Sequence, residues 1–158
     1  MRKSVLFRVG IGCGIACVLA CAMYLVQHRS QIIGVQTSEV EFFSRDVRLK
    51  GTLYTPRRWM SGKAPAIVFC HGGTPIGRKL AIYVIAARQL AERGYVVLTF
   101  DFRGFGESDD PPRFESASDL DFTQDVSAAL SYLAKLNAVD AGRLFLVGHS
   151  FGAGVVLP

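Results

Sequence analysis

Residues 144–158 read LFLVGHSFGAGVVLP. An apolar run ending at Val147 meets Gly148-His149-Ser150-Phe151-Gly152, and Gly154 follows. "RLFLVG" has the unbroken apolar character of a buried strand, and "SFGAGVVL" opens a helix. A serine framed by glycines between strand and helix is the setting of a nucleophile elbow. So tight a turn forces its central residue into strained backbone angles, and Gly148 and Gly152 remove side chains that would collide. The strain pushes the Ser150 hydroxyl clear of the sheet. The helix starts at once, so the Phe151 N–H faces the same space and can stabilise an oxyanion formed there. A glycine-rich turn with an incidental serine is the plainer alternative; the strand before, the helix after and Gly154 favour the nucleophile.

Two more apolar runs end in glycine-rich loops. "AIVFC" (66–70) leads into His71-Gly72-Gly73, and "YVVLTF" (95–100) leads into Asp101-Phe102-Arg103-Gly104-Phe105-Gly106-Glu107-Ser108. Between them, "RKLAIYVIAARQLAERG" (78–94) has helical spacing at Leu80, Val84, Ala87 and Leu90, with Gly94 as its C-terminal cap. Ser118 and Asp121 form a capping box for a helix that carries Phe122, Val126, Ala129, Leu130, Leu133 and Leu136 on one face. Upstream, "EVEFFSRDVRLKGTLYTP" (39–56) reads as two short strands around a Ser44-Arg45-Asp46 turn, with Gly51 breaking the second and Pro56 ending it. This order predicts an α/β fold: a mostly parallel sheet with flanking helices and right-handed crossovers.

Ligands of such sheets sit at the carboxyl ends of the strands. The loop after "AIVFC" can supply a second oxyanion donor, because its glycines let the backbone approach a substrate oxygen. The Gly73 N–H is the expected donor, with Thr74 the alternative. His71 reads as a hydrogen-bonding brace for that loop. Asp101 and Arg103 read as braces for the strand ends, and residues 74–84 as one wall of a pocket. The pairs Arg57-Arg58 and Arg78-Lys79 read as ordinary solvated side chains.

A serine hydroxyl needs a neighbouring base. The three histidines are His28, near the apolar segment; His71, in the oxyanion loop; and His149, whose side chain should point away from the hydroxyl. None suits. The sequence therefore predicts that the base is not present in this chain and that the domain is truncated after the elbow; the acid's absence as well is implied only by the family resemblance that the three glycine-rich motifs carry. It also predicts that "RLFLV" is left as a bare apolar edge.

"HGG", "DFRGFGES" and "GHSFGAG", in this order, resemble the α/β-hydrolase superfamily. The paired N-terminal strands are similar to those of its esterase, dienelactone-hydrolase and serine-aminopeptidase-like members. The resemblance runs from Glu39 to the end. It implies strands 1–5 of that fold in the order 1-2-4-3-5, with "AIVFC" beside "RLFLV", and an acid and a histidine located after the elbow. It also implies a serine hydrolase that cleaves a small-molecule ester or amide through an acyl-enzyme, without a cofactor or metal. A non-catalytic membrane-anchored binding protein on the same scaffold and an acyltransferase are the alternatives.

The net charge of +5 does not indicate nucleic acid. Arg2, Lys3, Arg8 and Arg29 precede the folded part, no acidic residue accompanies them, and the remainder is nearly neutral. Residues 9–26, VGIGCGIACVLACAMYLV, form an apolar run that as a helix spans about 27 Å, close to the hydrocarbon thickness. Three readings stand: an uncleaved anchor, a signal peptide cut near Ala20-Cys21-Ala22, or a lipoprotein signal at Val18-Leu19-Ala20-Cys21. Each places the rest of the chain outside the cytoplasm, because the positive charge precedes the segment. Cys13, Cys17 and Cys21 line one face of that helix, and Cys70 is alone in the folded part. The expected organisation is a signal or anchor over 1–28, a linker over 29–37 and a partial hydrolase domain over 38–158.

Overall fold

The computed structural model describes residues 34–57, 62–111 and 120–157. The expected membrane segment (9–26), Cys13, Cys17, Cys21, His28 and Ser118 lie outside these residues. Among the described residues no helix is long and apolar enough to cross a membrane.

Five strands form one sheet in the order β1-β2-β4-β3-β5. Strands β1 (Val35–Ser44) and β2 (Val47–Pro56) form a hairpin. Each is ten residues long, not short, and β1 begins inside the stretch expected to be linker. The turn is two residues, with Arg45 at φ 56°. Gly51 does not break β2: it pairs with Val40 on one side and Phe100 on the other. Strands β3 (Ala64–Cys70), β4 (Val96–Phe100) and β5 (Val139–Gly148) follow, with β3 parallel to both others. The pairings divide evenly, two antiparallel and two parallel, so the sheet is mixed where a mostly parallel one was expected. The hairpin makes one antiparallel pairing, since a two-residue connection can only reverse the chain, and β2 sets the hairpin antiparallel to β4 for the second.

Helices cover both faces. Helix α1 (Ala81–Glu92) buries Tyr83, Ala87 and Ala91 against Tyr54, Ile67, Phe69 and Val97. A short 3₁₀ turn, Gly77–Lys79, occupies the place where the sequence suggested the helix would start. Gly94, at φ 97°, closes α1 by donating to Ala91 O. Helix α2 (Phe122–Ala134) buries Val126, Ala129 and Leu133 on the other face, against Leu49, Val68, Leu98 and Phe100. Its cap is Asp121, whose carboxylate accepts from Gln124 N at 3.1 Å; the capping role expected of Ser118 falls to this residue. The six-residue helix α3 (Phe151–Val156) packs Phe151, Val155 and Val156 against the same core. The alternation of Val97 and Leu98 between the two faces is the period of two expected of a central strand. Removing a side chain such as Leu98 from water stabilises the fold by about 1.5–3 kcal/mol.

Strand β5 is the exception to the buried-strand reading. It lies at the sheet edge, and Phe145 and Leu146 are 50% and 38% exposed. Its apolar composition meets β3 on one side only.

Candidate active site

Ser150 sits between β5 and α3 at φ 50°, ψ −117°, a region that costs a non-glycine residue roughly 1–3 kcal/mol. It is exposed, as the elbow requires. The flanking glycines are there for close approach. A Cβ on Gly148 would reach within 2.6 Å of the Ala153 backbone, and one on Gly152 would overlap the Cys70 carbonyl oxygen and come within 2.6 Å of that of His71. The elbow is thus pressed onto the end of β3. His149 N donates to Cys70 O at 3.1 Å, which ties the two strand ends together.

The register of β3 on β5 brings the two glycine-rich bends side by side, with Cys70 opposite Gly148. A Cβ built on Gly73 would lie 3.7 Å from Phe151 Cβ. Neither the Gly73 nor the Phe151 N–H donates a hydrogen bond within the described residues, and the Ser150 hydroxyl has no partner there. Two free amides beside an exposed hydroxyl can accept an anionic oxygen.

His71 braces the loop. It is buried, its Nε2 accepts from Phe102 N at 3.2 Å, and its Nδ1 donates to Gly72 O at 2.7 Å. A peptide group is planar with its C=O and N–H opposed, so fixing the Gly72 carbonyl turns the Gly73 N–H the other way. Burial pushes the imidazole below its ordinary value, which keeps Nε2 an acceptor. His149 directs Nδ1 to the Tyr83 hydroxyl at 3.0 Å. No imidazole among the described residues hydrogen-bonds Ser150. Burial pushes the Cys70 thiol up to about 12, so it is no nucleophile.

The residues of this chain match the family model described as serine aminopeptidase, S33, over 62–158. The chain belongs to this family of α/β-hydrolases. Its similarity to the quorum-quenching protein AidA of Acinetobacter baumannii is 38% identity, covering 75% of this chain and 38% of AidA. The α/β-hydrolase GrgF from a Penicillium species superposes with a TM-score of 0.61 at 28% identity, over 76% of this chain and 39% of GrgF. The esterase Pf2001 of Pyrococcus furiosus gives 0.62 at 25%, over 77% of this chain and 43% of the esterase. The chain therefore spans about two fifths of the length of these three proteins.

The third bend of this S33-family chain, after β4, is built differently. Asp101 is fully buried; its carboxylate accepts from Arg78 N at 2.6 Å and Glu107 N at 3.0 Å, and it pairs with the Arg78 guanidinium. Arg78 is 1% exposed and also bonds Thr52, Glu39 and Glu107. It is not the solvated side chain the sequence suggested. Burial opposes ionisation of Glu39, but hydrogen bonds from Arg78 and Thr52 hold its carboxyl below the usual range. Hydrogen bonds from Lys79 and Arg78 hold Glu107 at about 2. Arg103 is likewise buried, and its guanidinium binds Asp125 at 2.7 Å and Ser44 at 3.0 Å. Asp101 and Arg103 brace the strand ends, the role the sequence suggested.

A cavity of about 610 Å³ opens beside Phe151, lined mainly by Phe105, Pro111, Leu120 and Phe122. Residues 74–84, expected to form a pocket wall, contribute nothing to it. Tyr83 and Asp125 are the site-supporting residues that sequence reasoning missed.

Proposed function

We propose that this chain carries the nucleophile and oxyanion hole of a serine hydrolase acting on a small-molecule ester or amide. As Ser150 attacks the carbonyl carbon, its hydroxyl proton passes to the base, the carbonyl π electrons move to oxygen, and the Gly73 and Phe151 amides stabilise that oxyanion. Collapse breaks the bond to the leaving group, which takes that proton and departs as alcohol or amine; water then hydrolyses the acyl-enzyme and returns a proton to Ser150. The observation that carries this reading is Ser150 at φ 50°, exposed beside the Gly73 and Phe151 amides, neither of which has a partner among the described residues. The acid and base come from residues outside this chain, a reading supported by the absence of any described imidazole on Ser150 and by the share of the relatives' length covered. Without them, only the residual rate supplied by the oxyanion hole and binding is expected. The apolar segment over 9–26 attaches or exports the protein, with the hydrolase part outside the cytoplasm.

The test is labelling of the complete gene product by a fluorophosphonate, with Ser150→Ala as control. Covalent labelling lost in the variant supports the reading; folded wild-type protein that stays unlabelled overturns it. In that event the second reading gains, a non-catalytic binding protein on this scaffold. The missing contact between an imidazole and Ser150 is what favours it. Acyl transfer would label equally and is separated by the product formed when an alcohol or amine competes with water.

A further inference from the structure

Tyr83 lies on α1, away from both glycine-rich bends in sequence, yet its hydroxyl touches each. It accepts from Gly72 N at 2.8 Å and hydrogen-bonds His149 Nδ1 at 3.0 Å. The side chain is 2% exposed and its ring packs against Phe69, with centroids 5.6 Å apart. The fit leaves no slack: a Cβ on Gly72 would meet the hydroxyl at 2.9 Å, His149 Nδ1 at 3.1 Å and Ser150 Cβ at 3.4 Å.

We propose that the Tyr83 hydroxyl is a positioning residue for the oxyanion hole, clamping the β3–α1 loop to the elbow. The proposal rests on the reading of Ser150 as nucleophile. Two consecutive peptide planes lead to the Gly73 amide. Tyr83 fixes the first through the Gly72 N–H, and His71 fixes the second through the Gly72 carbonyl. The Gly73 N–H is then aimed by groups it does not itself touch. On the other side, the same hydroxyl holds His149, which immediately precedes Ser150. One oxygen atom thus sets the spacing of two chain segments that must share a single oxyanion. Such donors act only when held within about half an ångström of the productive geometry. Because α1 is packed on the core through Tyr83, Ala87 and Ala91, the clamp is anchored to the sheet and not to either loop.

The experiment compares phosphonylation of Ser150 by a fluorophosphonate in the complete gene product and in Tyr83→Phe, which keeps the ring and removes the hydroxyl. Removing an oxyanion donor costs about 10²–10³ in rate, so loosening one is expected to lower the maximal labelling rate by about tenfold. The half-saturating reagent concentration should stay unchanged, and amide exchange at Gly72 should accelerate. His149→Asn, which keeps a hydrogen-bonding atom near the Nδ1 position, should label faster than His149→Ala. Equal maximal rates in wild type and Tyr83→Phe, or a change confined to half-saturation, overturn the clamp while the nucleophile stands. Folded wild type that does not label overturns the nucleophile reading and this proposal with it. If Tyr83→Phe is unstable, the histidine pair decides: equal labelling of His149→Asn and His149→Ala overturns the clamp.

Discussion

The bends at the carboxyl ends of the strands solve the same problem in opposite ways. After β4, the buried charges are satisfied: the Asp101 carboxylate accepts two backbone N–H groups and an arginine, and its carbonyl accepts Ser108 Oγ at 2.6 Å. After β3 and β5, the Gly73 and Phe151 amides and the Ser150 hydroxyl have no partner among the described residues, and the serine backbone is strained. Glycine content does not separate the two kinds of bend; hydrogen-bond satisfaction does. A satisfied bend holds the fold, and an unsatisfied, strained one is where the proposed oxyanion would bind.

The contrast breaks first at the satisfied bend. Arg78→Met removes the guanidinium from buried Asp101 and leaves that carboxylate with backbone partners only. Stripping one partner from a buried ion pair costs about 3–5 kcal/mol, and denaturant titration should show a loss of that size. A cost below about 1 kcal/mol would mean that the cluster is solvated and that the bend is no brace. Gly152→Ala attacks the other kind. Its methyl group would overlap the Cys70 carbonyl, and overpacking of this sort costs about 1–3 kcal/mol. The same measurement checks it, and a neutral result would place the elbow further from β3 than it stands.

These residues also mark what a single sequence reveals. The strand–helix order and the strand-to-helix bend at Ser150 were legible because glycine placement and apolar periodicity are local signals; the strand order followed only from the family resemblance of the three glycine-rich motifs. Arg78, Asp125 and Tyr83 were not. A charged residue looks solvated until the chain brings a partner to it, and Arg78 finds Glu39 and Asp101 on different strands or strand ends. Tyr83 was hidden by the choice of Leu80, Val84, Ala87 and Leu90 as the buried face of α1. The stripe buried in fact is Tyr83, Ala87 and Ala91, spaced by four, in which two members are alanines with little hydropathy signal. The exposure of β5 was legible only as a consequence of topology, since its composition is that of an interior strand.

Strain sharpens the comparison in the opposite direction. Ser150→Gly replaces a residue held at φ 50°, ψ −117° by one that adopts positive φ readily. Relief of strain should stabilise the protein by about 1 kcal/mol, while abolishing fluorophosphonate labelling. A rise in thermal midpoint with loss of labelling is the outcome expected of a site where stability was given up for geometry. An unchanged or lowered midpoint would remove strain from the account of the elbow.

The smallest effect separates the two kinds of bend by pH. Among the described residues, His71 braces the Gly72-Gly73 loop through a neutral imidazole, accepting at Nε2 from Phe102 N and donating at Nδ1 to Gly72 O. Burial lowers its pKa from the ordinary 6.5, so the unfolded chain binds a proton more readily than the folded one. Stability from this group is therefore full above about pH 6.5, declines as pH falls through the interval down to the folded value, and levels off below it. The carboxylates of the satisfied bend lose their contribution in the same direction but at lower pH: Glu107, held at about 2, contributes above the ordinary carboxylate value and fades only as pH falls toward 2. Denaturation midpoints measured from pH 8 down to 5 should thus report His71 and not the Arg78 cluster. His71→Gln should flatten that slope. A slope that survives in His71→Gln would assign the titration elsewhere and leave the neutral imidazole without a role in aiming the Gly73 amide.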